Sequence, residues 1–114
     1  MVCVAAIVAL AAVLFSQKSP TPEDAAALPL RTIVVDSATA AEDLLQRLQA
    51  GRDFAVLARE KSLDPTATDG GFMGRVDPTT LRPELRDALR GVQRGQLSRV
   101  VKIPSGYAIL KVLP

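Results

Sequence analysis

Asp64 and Asp69 are the two carboxylates in the most irregular stretch of this chain, residues 62–80, and directly after them runs Gly70-Gly71-Phe72-Met73-Gly74. Two acids five residues apart are weak evidence for acid–base hydrolysis, because loop aspartates more often cap turns, and Asp64 followed by Pro65 has the form of a turn initiator. The glycine run lacks both the spacing and the lysine of a phosphate-binding loop; as plain structure it is a turn whose glycines take positive φ. The chain has no histidine and a single cysteine, Cys3. That excludes Ser-His-Asp and Cys-His nucleophilic sites, leaves no ligand set for a zinc cluster, and allows no internal disulfide. No cofactor and no metal are expected.

The elements that must hold these residues divide by period. Residues 31–35 are a β-branched run bounded by Pro29 and Asp36, expected to form a buried strand. Thr39 and Glu42 have the form of a capping box, and Ala41, Leu44, Leu45 and Leu48 follow at helical spacing until Gly51 supplies the C-cap. A second helix is expected from the Asp53 cap, burying Phe54, Leu57 and Ala58. Between 62 and 80 no period survives, and so long an irregular stretch in so small a domain is usually functional. Pro83 suits the first turn of a third helix that carries Leu85, Ala88 and Leu89 to Gly91. Residues 97–103 and 107–113 close the chain as two strands, joined around Pro104-Ser105-Gly106. Strands at both ends with helices between them predict an α+β fold with a small, antiparallel-rich sheet wrapped by helices.

A chain of 114 residues, 48% hydrophobic and 23% charged, supplies one small globular domain. The net charge is +2, with ten arginines among fourteen basic residues, so anionic partners are admitted but not required. Residues 2–15 are apolar throughout. They fall short of the roughly 20 needed to cross a bilayer and match the length of a signal-peptide core, but no basic segment precedes them. A lost upstream start would account for this, as would a short anchor extended through Ser16 and Gln17. A buried core helix fits less well, because Pro20, Pro22 and Pro29 make the following stretch a tether. The expected organisation is a hydrophobic signal or membrane-anchor segment at 1–16, a Pro/Ala-rich linker at 17–29 and a folded domain at 30–114. The domain is expected outside the cytoplasm, periplasmic or in the cell envelope, exported or associated with the membrane through residues 2–15.

Ser62-Leu63-Asp64-Pro65, the run Gly70-Gly71-Phe72-Met73-Gly74, the short helix over 81–89, Gly95-Gln96-Leu97-Ser98 and Ser105-Gly106-Tyr107-Ala108-Ile109-Leu110, together with Thr32-Ile33-Val34-Val35, resemble the parvulin family of peptidyl-prolyl cis-trans isomerases, in the form found in bacterial extracytoplasmic folding factors. The resemblance covers nearly everything from Arg31 onward. It implies a four-stranded sheet wrapped by helices, and Xaa-Pro-containing unfolded or extended polypeptides as partners. It also implies a site. The position that the family fills with cysteine or aspartate falls on Asp64. The socket for the proline ring falls on Met73, Leu81 and Leu85, where the family commonly has leucine or methionine, methionine, and phenylalanine. The two histidine positions fall on Thr32 and Ala108, and the hydroxyl position between them on Ile103. Rotation about an Xaa-Pro bond faces a barrier of roughly 18–20 kcal/mol, breaks no bond and requires no proton transfer. An apolar socket and one or two oriented polar atoms meet that requirement. The resemblance thus assigns Asp64 and Thr32 to catalysis and Met73, Leu81, Leu85, Ile103 and Ala108 to substrate binding.

The competing role for Met73, Leu81 and Leu85 is to fill the core, as apolar residues at helical spacing usually do. With both histidine positions lost, a non-catalytic peptide-binding chaperone or assembly module stands beside the isomerase as a reading. Arg86, Arg90 and Arg94 recur every four residues near Arg82 and Arg99, and read either as a solvated face with Glu84 and Asp87 or as a basic face for lipid headgroups. No aromatics interleave with them to stack on bases, so nucleic acid is not an expected partner.

Overall fold

The computed structural model describes residues 27–114. The hydrophobic run at 2–15, Cys3 and the linker up to residue 26 lie outside the described residues. The elements in chain order are β1 (Leu28–Val35), α1 (Ala38–Gln49), α2 (Phe54–Lys61), a 3-10 turn (Pro65–Asp69), β2 (Phe72–Val76), a second 3-10 turn (Pro78–Thr80), α3 (Pro83–Ala88), β3 (Val101–Ile103) and β4 (Gly106–Val112). The strands form one antiparallel sheet in the order β2-β1-β4-β3, so the first and last strands of the domain are its central pair. This is the expected α+β architecture. Among the described residues, no helix is long and apolar enough to cross a membrane.

Because side chains alternate along a strand, the pairing of Ile33 with Ile109 and of Val34 with Ala108 sorts the two faces of the sheet. Ile33, Val35 and Ile109 face α1 and α2, where they bury Ala41, Leu44, Leu48, Phe54, Leu57 and Ala58. Leu30, Leu110 and Val112 face the other way, into a second cluster with Leu89. Each fully buried leucine or isoleucine contributes about 1.5–3 kcal/mol, and both faces are needed to hold a sheet this small.

The helix ends differ in detail from the sequence expectation. α1 is capped by Ser37, whose hydroxyl accepts from the Ala40 N–H at 3.1 Å, and not by the Thr39–Glu42 pair. β1 ends at Val35, and Ser37, two residues on, has a side-chain acceptor and extended backbone, so the helix starts before Thr39 is reached. At the other end, Arg52 N–H bonds to Arg47 O and Gly51 N–H to Leu48 O, the paired bonds that close a helix at a C-terminal glycine. Asp53 caps α2 as expected, accepting from Ala55 and Val56.

The strands also shift. β1 begins at Leu28, so Leu28 and Pro29 join the sheet, paired with Val76 and Arg75 of β2. The expected strand over 97–103 runs along β4, but only Val101–Ile103 is regular. Upstream of it, Leu97 bridges to Lys111, and the buried Ser98 puts its hydroxyl into the ladder, accepting from Leu110 N–H (2.9 Å) and donating to Arg99 O (2.8 Å). Residues 62–80, in which no period is visible, hold a strand and two 3-10 turns.

Candidate functional site

β1 presents two kinds of partner along its outer edge. From Leu28 to Arg31 it pairs with β2, and beyond that the loop over residues 62–71 takes the place of a strand. Thr32 N–H donates to Gly71 O (2.8 Å), Val34 N–H to the Ser62 hydroxyl (3.0 Å) and Leu63 N–H to Val34 O (2.7 Å). Asp64 is therefore fixed one residue beyond a backbone bond to the sheet. Its carboxylate caps the first 3-10 turn, accepting at Oδ1 from the Thr66 N–H (2.9 Å) and hydroxyl (2.6 Å). The turn-initiator reading of Asp64-Pro65 is thus what the chain does locally. The residue is half-buried, and Oδ2 has no partner among the described residues.

The loop's far end is held by Arg31, whose guanidinium donates to Asp69 O (3.1 Å) and Gly70 O (3.0 Å) and lies 5.4 Å from the centre of the Phe72 ring. Arg31 is missed by sequence reasoning. The available signal is a charged residue inside a β-branched run, at a position where it must find carbonyls or leave the strand.

The register of β2 slips between Leu30 and Arg31: Leu30 pairs with Gly74, Arg31 pairs with Phe72, and Met73 is left over as the bulged residue. The bulge frees Met73 from strict alternation. Its side chain, like those of Leu81 and Leu85, packs against the second cluster of Leu30, Leu89, Leu110 and Val112. All three residues of the expected socket therefore meet on one face of the sheet, and all three are half-buried, not sealed. Thr32 and Ala108 lie on that same face through their pairings with Leu110 and Val34, at 5% and 1% exposure. Ile103 shares the face by its pairing with Gly106 and is half-buried. The Thr32 hydroxyl has no hydrogen-bond partner among the described residues, and no hydrogen bond joins Asp64 to Thr32. A separate cavity of about 280 Å³, between the C-terminal end of β1 and α1, is lined by Val35, Leu44 and Leu63 among others and does not include the socket residues.

Leu81 reaches this face from the second 3-10 turn, which repeats the construction of the first. Asp77-Pro78-Thr79 matches Asp64-Pro65-Thr66, and Asp77 Oδ1 accepts from the Thr79 N–H (2.9 Å) and hydroxyl (2.8 Å). The doubled Asp-Pro-Thr is the sequence signal for both turns. The Thr79 backbone N–H, and after it the hydroxyl, hold the Asp77 carboxyl below its ordinary value of 3.8. A folded-state value below the unfolded one adds stability that is present above the unfolded pKa and lost as pH falls through the folded one. An NMR pH titration should therefore place the Asp77 carboxyl midpoint below that of an unfolded aspartate, with the turn that carries Leu81 loosening only in acid; a midpoint at or above 3.8 contradicts the cap.

A four-stranded antiparallel sheet with its terminal strands central and two helices on one face is the architecture that the resemblance to the parvulin class implies. The chain belongs to the PPIC-type peptidyl-prolyl isomerase, or rotamase, domain family, whose model matches residues 13–113. The chaperone SurA of Pseudomonas fluorescens is 43% identical over 74 residues, which cover 64% of this chain and 17% of that protein. Among solved structures, the peptidylprolyl isomerase PrsA of Bacillus cereus superposes with a TM-score of 0.73 at 34% identity, over 77% of this chain and 34% of that one. NmPin, the parvulin of Nitrosopumilus maritimus, gives 0.70 at 26% identity, over 84% of this chain and all of its own. The chain thus spans about a sixth of the curated chaperone and a third of the solved PrsA.

Proposed function

We propose that the domain isomerises Xaa-Pro peptide bonds in unfolded or extended polypeptides, with the proline ring seated on Met73, Leu81 and Leu85. The observation that carries this reading is the β-bulge at Met73, which brings a third apolar side chain beside Leu81 and Leu85 and leaves all three half-buried. A filled core would have buried them. Half-buried Ile103 extends the apolar floor, Ala108 backs it from beneath at 1% exposure, and Thr32, at 5% exposure, is assigned the hydroxyl that bonds a carbonyl in the twisted amide. Gripping the ring while the preceding carbonyl turns favours the transition state over either planar form, which is all the reaction needs. Asp64 is assigned the polar role, as a carboxylate on the loop that runs along the edge of β1. Clients outside the cytoplasm, a domain spanning 30–114, and tethering through residues 1–16 and the linker at 17–29 belong to the same proposal; the kinship with SurA and PrsA supports it.

Exchange NMR on a short Xaa-Pro peptide separates a catalytic Asp64 from a structural one. Asp64→Asn keeps an oxygen for the Thr66 cap and removes the charge, whereas Asp64→Ala removes both. Both variants should lose the cis–trans exchange broadening, with a fall in rate on the order of tenfold or more. Full exchange in Asp64→Asn with loss only in Asp64→Ala makes the residue a turn cap and nothing else.

The second reading, a non-catalytic holdase on the same shelf, is favoured by one observation: Ala108 and Ile103 carry no polar group and the Thr32 hydroxyl has no partner to orient it. Binding of unfolded protein by a chain that leaves peptide exchange unchanged selects it.

A further inference from the structure

We infer that the shelf selects acidic polypeptide segments, through a row of arginines along its α3 side. The inference rests on the reading of Met73, Leu81 and Leu85 as the client site. The row is written into the sequence as three Leu-Arg pairs four residues apart, Leu81-Arg82, Leu85-Arg86 and Leu89-Arg90. The leucines turn inward: Leu89 is buried in the second cluster, and Leu81 and Leu85 pack half-buried against it. The arginine after each one is exposed. Leu85 and Arg86 are consecutive in α3 and about 100° apart, so Arg86 stands at the rim beside its leucine, while Arg82 and Arg90 follow Leu81 and Leu89 directly at the two ends of the helix.

These cations are not neutralised locally. Arg90 reaches Asp87 at 3.4 Å with both side chains more than half exposed, an arrangement of little energetic worth, and Arg82, Arg86 and Arg94 have no ion pair among the described residues. Across residues 82–99 five arginines face Glu84 and Asp87, an excess of three positive charges. In the rest of 27–114, eight basic residues balance eight acidic ones. The whole positive excess of the described domain therefore sits in the segment that begins with α3 at the wall of the shelf and runs on to β3. Arginine forks match carboxylates in two-point geometry, and a ligand that offers a proline ring with glutamate or aspartate a few residues away would engage leucine and arginine rows together. A lipid surface fits less well, since residues 82–99 contain no aromatic residue to insert among acyl chains.

The test uses the full 114-residue chain and three peptides with one Xaa-Pro bond, flanked by glutamate, glutamine or lysine. Binding is read by chemical-shift titration and isomerisation by exchange NMR, at about 10 mM and about 300 mM salt. The glutamate peptide should bind on the order of tenfold more tightly than the lysine peptide at low salt, with the gap closing at high salt. Arg86→Glu combined with Arg90→Glu should invert the order. Equal engagement of the three peptides overturns the inference and leaves the proline-site reading in place. Engagement of none overturns both. Co-sedimentation with phosphatidylglycerol vesicles, without any flank preference among the peptides, assigns the row to a membrane surface and also overturns it.

Discussion

Gly71→Ala should destabilise the domain by about 3 kcal/mol or more, a fall in melting temperature of roughly 12 °C or greater for a fold of this size. Gly71 has φ of +80°, where any residue with a Cβ is strained by about 1–2 kcal/mol. The larger part is steric. A Cβ at this position would run into the carbonyl oxygen of Thr32 and crowd the Ala58 side chain. Relief requires pulling the loop off β1, which breaks the Thr32–Gly71 bond and disturbs the Gly71–Thr66 bond, each 2.8 Å. The loop carries Asp64 and leads straight into Met73, so peptide binding should fail with it. Gly74→Ala is the control: φ is +79°, but nothing lies within 4 Å of the added carbon, so only the same backbone strain of about 1–2 kcal/mol applies. Equal melting temperatures for the two variants would show that close approach to Thr32 does not hold the loop.

Thr32→His combined with Ala108→His should raise kcat/KM on an Xaa-Pro peptide by on the order of tenfold while lowering stability. The two positions lie diagonally on one face of the β1–β4 pair, near enough for side chains of this size to interact. Restored hydrogen bonds of about 1 kcal/mol each, more when buried and coupled, set the scale of the gain. Both sites are buried, with Val34, Val101 and Leu110 as their cross-strand partners, so two imidazoles must displace packed side chains at about 1–3 kcal/mol apiece. Activity and thermal stability should thus move in opposite directions. An unchanged rate in a folded double variant would mean that Thr32 and Ala108 do not stand where the family places its histidines.

What the sequence made legible follows the strength of each local signal. The β-branched run into Val35, the leucines of α1, the Asp53 cap and Pro83 at the start of α3 are dictated by neighbours within a turn or two, and the structure has an element at each. β2 was not legible. Phe72-Met73-Gly74-Arg75-Val76 breaks alternation at the bulge and carries a glycine in its middle, so it has neither the period nor the composition of a strand. The strand before Ile103 was overdrawn because Ser98 replaces a backbone partner with its hydroxyl, an exchange that only the facing Leu110 reveals. Thr39–Glu42 looked like a cap because its spacing is right, but the helix had already begun at Ser37. The meeting of Met73, Leu81 and Leu85 depends on a one-residue register slip, which no pattern along a single chain encodes. Family resemblance pointed to those three residues, and spacing did not.

The most direct measurement is where a proline ring lands. A titration of the chain, with labelled methionine, leucine and valine methyl groups, against a short Xaa-Pro peptide should give intermolecular NOEs from the ring protons to Met73, Leu81 and Leu85. NOEs to Leu44, Leu63 and Val35 at the 280 Å³ cavity instead, or shift changes confined to that side of the sheet, would contradict the account.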